Sequence, residues 1–249
     1  MKSWTASGVL LICCASVAAA GCGVAKHERR AAEPKRCRPG TVRPLVASDH
    51  TYAAVVRTFA RAFRRPGAKP FARFARLNQN GVPTVFGVRA AVLRRDCGAA
   101  WYRVQLPIKP NGIVGYVRAH DVDLGRVRTR IAVDLSAKRL TFYRDGRAVM
   151  RIRIGIGASS SPTPTGSFYV NQRFREDADG PYGPAAIGIS AYSNVLTWWD
   201  QGGPVAIHGT NRPETIGRAA SNGCIHVPNR ILLDLFQMTP SGTPVVIRA

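Results

Sequence analysis

The sequence predicts a mainly β protein with one or two short helices, arranged as two small domains. Apolar and polar residues alternate over short stretches, which is the spacing of half-buried strands and not of helices. Glycine and proline, 24 and 17 of the 249 residues, interrupt these stretches. Only the segment from Ile231 to Met238 has helical character, and Asn229 is the candidate cap before it. A hydrophobic content of 45% is sufficient for packed cores.

The first 21 residues have the features of an export signal. Lys2 precedes an apolar run from Val9 to Ala20, and Gly21-Cys22 follows. A positive start, a short apolar middle and small residues at a cleavage point predict a signal peptide over residues 1–21. A permanent membrane span would need about twenty apolar residues.

The ending of this segment resembles the bacterial lipoprotein signal, which implies that Cys22 carries the lipid. Ala19 stands where that signal commonly has Leu, so ordinary secretory cleavage near Ala20 stays open. Either reading predicts an exported protein. With lipid at Cys22, it would be anchored to the outer face of the cytoplasmic membrane, in the cell envelope.

A charged, Ala-rich tether is predicted over residues 22–36, followed by a basic module over residues 37–126. Within the module, Trp101 to Leu106 alternates with period two, Pro107 to Gly112 is a turn cluster, and Ile113 to Val117 forms a returning strand. This ending resembles the bacterial SH3-like wall-associated module. The resemblance implies a small β-barrel.

The charge is concentrated in the first half of the chain. The formal net charge is +22, and residues 22–126 hold 21 basic against 6 acidic side chains, or +15, whereas residues 127–249 hold 14 against 8, or +6. The densest basic run, from Arg57 to Arg76, is interleaved with phenylalanines, a pattern that suits single-stranded nucleic acid, an anionic membrane or simply a solvated face. The export signal favours an anionic envelope or membrane surface as the partner, with no nucleic acid expected.

The second domain, residues 127–249, shows a clearer succession of strands. Asp145-Gly146 is a two-residue hairpin signal. The strand segments are Ile131 to Leu135, Leu140 to Phe142, Val149 to Ile156, Gly166 to Val170, Val205 to Ile207 and Val245 to Ile247.

Export determines how the cysteines are interpreted. In an oxidising compartment two of the cysteines beyond the signal and Cys22 should pair, and Cys37 and Cys97, which flank one basic region, are predicted to form that disulfide. Cys224 then remains as an odd thiol. Such a thiol needs either a chemical role or burial as a small hydrophobe.

Two short motifs combine the residue types of thiol catalysis: Ile207-His208-Gly209-Thr210 and Ser221-Asn222-Gly223-Cys224-Ile225-His226. A thiol needs a base to become a nucleophile, and histidine is its usual partner. Gly223 allows close backbone approach to a substrate, and the N–H groups of Gly223 and Cys224 could hold an oxyanion.

These motifs, together with Thr163-Pro-Thr-Gly-Ser-Phe168, resemble the L,D-transpeptidase family with its YkuD-type catalytic domain, over about residues 128–249. The resemblance implies a β-sandwich or barrel-like catalytic domain. It implies that Cys224 is the nucleophile, His208 the base and the Gly209 carbonyl the group that orients the imidazole, while Ser221, Asn222 and Gly223 shape the oxyanion site.

The reaction implied by the family is attack on the L-to-D peptide bond of a tetrapeptide stem in peptidoglycan. It releases D-Ala and passes the acyl group to an amine of another stem, giving a 3-3 cross-link. The family implies no metal and no cofactor, and it also implies acylation of Cys224 by β-lactams of the carbapenem class.

The chain departs from the family pattern at two positions. Asn222 stands where many members have His, and His226 stands where Arg or Asn is usual, at a position thought to contact substrate. Tyr192 and Gly203 fall where the family builds its lid and cleft wall, so they are further candidates for substrate binding. The pair Trp198-Trp199 could line the cleft, and core packing is the preferred interpretation.

Three alternatives remain open beside the transferase. His208, Cys224 and His226 could form a zinc site, although they lack the usual paired-ligand spacing. The chain could be a catalytically inactive wall-binding lipoprotein, which the residues at 222 and 226 would favour. It could also be an L,D-carboxypeptidase that uses water as the acceptor.

Overall fold

The computed structural model of the protein describes residues 36–249, so the predicted signal peptide and the lipidation site Cys22 lie outside the described residues. Over this range the mainly β prediction is confirmed, with 18 strands and one α-helix. The described residues form one compact unit. No helix within them is both long and apolar enough to cross a membrane.

Residues 36–127, called here the N-terminal module, form one antiparallel sheet. Its strand order is β4-β3-β7-β6-β5-β2-β8, with β1 paired to β5. The strands are β1 (Val42–Pro44), β2 (Thr51–Val56), β3 (Phe59–Phe63), β4 (Pro70–Ala75), β5 (Val85–Leu93), β6 (Ala99–Gln105), β7 (Val114–Arg118) and β8 (Val122–Val127). Whether this sheet belongs to the SH3-like class stays a prediction, as do the domain limits.

The second sheet, called here the C-terminal sheet, has the order β11-β10-β9-β18-β13-β14-β15-β17, and β12 pairs separately with β16. These elements are β9 (Thr129–Asp134), β10 (Arg139–Arg144), β11 (Arg147–Arg153), β12 (Ile156–Gly157), β13 (Gly166–Arg175), β14 (Ala185–Tyr192), β15 (Pro204–His208), β16 (Ala219–Ser221), β17 (Ile225–His226), α1 (Asn229–Met238) and β18 (Pro244–Arg248). Three short 3-10 segments cover Ala119–Asp121, Asp200–Gly202 and Pro213–Thr215.

The Arg/Phe run of the N-terminal module folds into β3 and β4. Phe63 is buried and contacts Trp101 edge to face, with ring centres 5.2 Å apart. Phe59 is 49% exposed, and Arg61 stacks over its ring. The hairpin therefore combines core packing with a cationic, partly aromatic outer face.

A disulfide joins Cys37 to Cys97, the two cysteines for which a bridge was expected, with their Cα atoms 5.0 Å apart. It connects the start of the module to the turn between β5 and β6, and the Cys37 N–H donates to the Arg95 carbonyl at 2.9 Å. The bridge therefore holds the beginning of the described chain against the sheet.

The two sheets pack directly on each other where β5 meets β13. Tyr169 is fully buried there and donates a hydrogen bond to the Val85 carbonyl at 3.0 Å. Gly87 lies under its ring, since a Cβ at that position would come within 2.8 Å of the ring carbons. Gln105 of the module also donates to the Ser167 carbonyl at 2.8 Å. Buried polar groups of one sheet are thus satisfied by the other.

The helix ends at Met238 as expected but begins at Asn229, two residues before the predicted start, and its capping also differs from the prediction. Pro228 occupies the N-cap and no side chain caps the helix. The Asn229 side-chain oxygen instead accepts the Thr210 N–H at 2.8 Å. The prediction of Asn229 as a helix cap is therefore wrong, because the loop after β15 supplies a better donor for that oxygen.

Candidate active site

Two rows of side chains cross the C-terminal sheet on one face. Parallel pairing of β15 with β17 sets Ile207 opposite Ile225 and His208 opposite His226. Both isoleucines are fully buried in the core. Because side chains alternate along a strand, Cys224 and His208 lie on the other face, with Cys224 beside Ala206 and diagonal to His208. The register of two strands therefore makes neighbours of residues sixteen positions apart.

The same register extends both rows across the sheet. One row runs through Gln172, Gly188 and Ala206, and the β15–β17 register extended by one residue adds Cys224 to it. The other row runs through Phe174, Ala186, His208 and His226. Small residues next to Cys224 and His208 leave open space above the sheet.

The orientation of the His208 ring is fixed by its neighbour. Nδ1 of His208 lies 2.6 Å from the Gly209 carbonyl oxygen. A carbonyl only accepts, so Nδ1 carries the hydrogen and Nε2 of the neutral ring is free to accept a proton. Burial, and next the charge of His226, lower the pKa of His208 to about 4, while the bond to Gly209 opposes this shift. His208 is therefore neutral near pH 7.

Cys224 is half-buried and immediately precedes β17. Burial raises the pKa of its thiol, and a backbone hydrogen bond with Ala206 opposes this effect. The resting pair is thus a neutral thiol beside a neutral imidazole. A proton would leave sulfur during attack and not before it.

The turn before Cys224 is held by Ser221. Its hydroxyl donates to the Cys224 carbonyl at 2.6 Å and accepts the Gly223 N–H at 3.2 Å. Gly223 has φ +109, which favours glycine. Because the Gly223 N–H is engaged, the Cys224 N–H is the better oxyanion donor: within residues 36–249 it has no hydrogen-bond partner.

Asn222 is exposed at the tip of this turn. Ser161 lies behind it, and its hydroxyl is buried without a hydrogen-bond partner in the described chain. That hydroxyl would be 3.9 Å from a Cβ at Gly223. Sequence reasoning did not single out Ser161.

A cleft of about 730 Å³ opens over the first row, with Cys224 in its lining. Its other lining groups come from four places: the sheet, the connection between β13 and β14, the Trp198–Gln201 segment and Asn80 of the N-terminal module. Trp198 is 77% exposed. The prediction that Trp198 and Trp199 pack in the core is therefore wrong, because both rings belong to a cleft wall above the sheet.

Comparison with known proteins adds the family. Residues 128–247 match the YkuD family, the L,D-transpeptidase catalytic domain. YqjB of Bacillus subtilis, provisionally named an L,D-transpeptidase, is 31% identical over 128 residues, which are 47% of this chain and 69% of that protein. The chain belongs to the L,D-transpeptidase family.

Two further comparisons describe how much of each protein is matched. YkuD of B. subtilis, also provisionally named an L,D-transpeptidase, is 36% identical over 117 residues, covering 47% of this chain and 64% of that protein. The chain thus spans less than two thirds of this relative. The solved catalytic domain of the Enterococcus faecium L,D-transpeptidase acylated by ertapenem is 29% identical, with 48% of this chain and 96% of that chain covered and a TM-score of 0.37.

His226 lies beside His208 and not in the cleft lining. Its ring centre is 4.9 Å from that of His208. The Thr215 hydroxyl donates to the Arg212 carbonyl at 2.7 Å, so at its 2.9 Å contact with Nδ1 of His226 it accepts. Nε2 of His226 is therefore also unprotonated in the neutral ring. Burial, and next the charge of Arg212, lower the pKa of His226.

Tyr192 and Gly203 lie outside the cleft lining. The Tyr192 hydroxyl donates to the Pro107 carbonyl at 2.7 Å, so the ring docks on the N-terminal module. Gly203 has φ +71 and closes the turn after the 3-10 segment, where its carbonyl accepts the Ser193 N–H at 2.8 Å. Both residues shape the wall indirectly.

Two residues whose role sequence reasoning missed support the candidate site. Tyr182 lines the cleft and contacts His208 edge to face at 4.8 Å. Burial, then the charges of Cys224 and Glu176, raise the pKa of Tyr182. Asn229 fixes the loop after His208, as described above. Neither stands in a local pattern that could have identified it.

Among residues 36–249, no group of three or more His, Cys, Asp or Glu side chains is arranged to hold a metal ion.

Proposed function

We propose that the protein is a peptidoglycan L,D-transpeptidase with Cys224 as nucleophile and His208 as general base. The observation that carries this proposal is the diagonal placement of His208, at the end of β15, and Cys224, immediately before the paired strand β17, with Cys224 in the cleft lining. The family match over residues 128–247 supports the same chemistry.

In the proposed first step, the Cys224 sulfur attacks the carbonyl carbon of the L-to-D bond of a tetrapeptide stem while its proton passes to Nε2 of His208. The Cys224 N–H stabilises the oxyanion that forms. The His208 imidazolium then gives this proton to the departing D-Ala amine. A thioester on Cys224 results.

In the second step, an amine of another stem attacks the thioester and His208 accepts a proton from it. The Cys224 thiolate leaves and regains its proton, and a 3-3 cross-link is formed. Water in place of the amine would give the L,D-carboxypeptidase reaction. Gly209 orients the base throughout, since its carbonyl fixes the ring tautomer.

We propose further that the protein is exported and anchored in the envelope through lipid at Cys22. The N-terminal module would then bind an anionic membrane or wall surface. In support, the Arg57–Arg76 run exposes Arg57, Arg64, Arg65, Lys69, Arg73 and Arg76, and it has no acid between them.

The test is incubation of the purified chain with a tetrapeptide-stem muropeptide, with the masses of the products measured by mass spectrometry. The wild type should lose D-Ala and form a cross-linked dimer, and a carbapenem should add its mass to Cys224. Cys224→Ala should do neither, with Cys37 and Cys97 left intact. A hydrolysed tripeptide without dimer would identify the carboxypeptidase, and equal turnover by Cys224→Ala would refute the mechanism.

A further inference from the structure

The N-terminal module reaches the cleft through the turn between β4 and β5. Asn78 organises this turn, since its side-chain oxygen accepts the N–H groups of Asn80 and Val82 at 2.9 and 3.3 Å. Asn78 and Asn80 both donate to the Gln172 side-chain oxygen at 3.0 Å. Gln172 belongs to the same row as Cys224. The turn is therefore fastened to the cleft floor, and Asn80 joins its lining.

Asn80 also pairs with Gln201 on the opposite wall. The Gln201 amide donates to the Asn80 oxygen at 2.7 Å, and the Asn80 amide donates back at 3.2 Å. Gln201 adopts φ +57 and ψ +12, a left-handed conformation that is uncommon for a residue other than glycine. Such strained backbone tends to persist at functional positions.

This reciprocal pair has the donor and acceptor pattern of a peptide group. Each side-chain amide offers one N–H and one C=O, as a main-chain amide of a bound peptide does. The pair is exposed, so its net contribution to stability is small. A peptide in the cleft can therefore replace the partner amide at little cost.

The distance to the nucleophile indicates which part of a substrate would bind here. Gln172 is three strands from Cys224 along the row, which at strand spacing is about 14 Å. The bond that is cleaved precedes the last residue of the tetrapeptide, so the three residues on its acyl side span about 10 Å when extended, at about 3.4 Å per residue, and end within a side chain's length of Gln172. Asn80 and Gln201 therefore stand at the end of a stem remote from the bond that is cleaved.

We infer that Asn80 and Gln201 form a peptide-binding subsite, in which main-chain amides at the remote end of the stem replace the hydrogen bonds that the two side chains make with each other. The inference rests on the proposed function and deepens it. It makes the N-terminal module a part of the substrate cleft, in addition to any surface that it binds.

The module is held firmly enough for this role. Asn111 donates to the Tyr192 carbonyl and accepts the Tyr192 N–H, both at 2.8 Å. Lys109 lies 5.6 Å from the centre of the Tyr192 ring. A second loop of the module is thus hydrogen-bonded to the end of β14, the strand that leads into the cleft wall containing Gln201. This contact keeps Asn80 and Gln201 in position relative to each other.

The test compares Asn80→Ala and Gln201→Ala with Asn194→Ala, a control that removes an exposed asparagine of the same wall segment outside the cleft lining. With the tetrapeptide-stem muropeptide, we expect kcat/KM to fall about tenfold in the first two variants and to stay unchanged in the control. Acylation by a carbapenem, which is too short to reach Asn80, should keep its rate in all three.

Equal loss for stem and carbapenem would overturn the subsite, because the substitution would then act through the position of Cys224. Wild-type turnover of the stem by both Asn80→Ala and Gln201→Ala would overturn it as well.

Stem affinity is also measured in the Cys224→Ala background, where the Asn80→Ala change should weaken binding about tenfold. This readout separates failure of the subsite from failure of the proposed reaction, since it requires no chemistry.

Discussion

The imidazole rings of His208 and His226 lie side by side, with their centres 4.9 Å apart and their planes inclined by 54°. Both rings direct Nδ1 to an acceptor oxygen, the Gly209 carbonyl for His208 and the Thr215 hydroxyl for His226. In the neutral state, each of the two adjacent rings therefore has an unprotonated Nε2. A positive charge on one ring disfavours protonation of the other.

This contact predicts that His226→Asn moves the acid limb of the pH profile of kcat/KM to higher pH. The His226 charge lowers the pKa of His208, so its removal should raise that pKa. The measurement is carbapenem acylation between pH 4 and 8, with the exposed His120→Asn as control. A fall of about a hundredfold at pH 8 would contradict this electrostatic role and make His226 a proton-transfer group.

The depressed pKa of His208 also predicts a pH-dependent stability. The unfolded ring titrates near 6.5 and the folded one at about 4, so the unfolded state binds more protons between these values. Stability from this group is present above pH 6.5 and is lost as the pH falls. Denaturant unfolding at pH 7 and pH 5 should show that the wild type loses about 2 kcal/mol more than His208→Gln over this interval. Equal losses would mean that the buried ring is not responsible.

Gly209→Ala should damage the site, because a Cβ at this position would overlap the Asn229 side-chain oxygen. That oxygen holds the Thr210 N–H, so the loop after His208 must shift. We expect a loss of about 1–3 kcal/mol in unfolding free energy and about a hundredfold in kcat/KM. Gly125→Ala is the matched control, since a Cβ there meets nothing within 4 Å. Indistinguishable behaviour of the two variants would refute the packing argument.

The disulfide predicts an effect on stability without an effect on chemistry. Cys37 and Cys97 are separated by 60 positions, and closing a loop of that size contributes up to about 4 kcal/mol in the chain-entropy account. The double variant Cys37→Ser, Cys97→Ser should unfold at lower denaturant concentration. Its rate of carbapenem acylation, measured below the unfolding transition, should equal that of the wild type. A lower rate would show that the bridge reaches the cleft.

Local sequence chemistry was sufficient for some elements and insufficient for others. Asp145-Gly146 forms the expected hairpin turn between β10 and β11, because both residues take positive φ, which suits Asp and Gly. Strand β14 was not predicted: seven of its eight residues are buried, so it has no alternation to detect.

The residues of the candidate site also differ in whether local sequence was sufficient to predict them. The motifs identified Cys224 and His208, since each carries a recognisable run of neighbours. Tyr182 and Asn80 reach the cleft only through tertiary packing, and nothing in their local sequence distinguishes them from surface residues. Asn229 was noticed for the wrong reason, because its oxygen bonds a loop that is distant along the chain.

The two hydrogen bonds between Asn111 and Tyr192 have a consequence for protein engineering. One side chain satisfies both main-chain polar groups of the last residue of β14, while Tyr169 and Ser167 depend on the module for their own hydrogen bonds. A fragment cut at residue 128 would leave these groups without partners and uncover the Tyr169 ring. Residues 128–249 therefore cannot be exchanged between proteins by themselves. A chimera would also need the loop around Asn111 and the strand that packs beneath Tyr169.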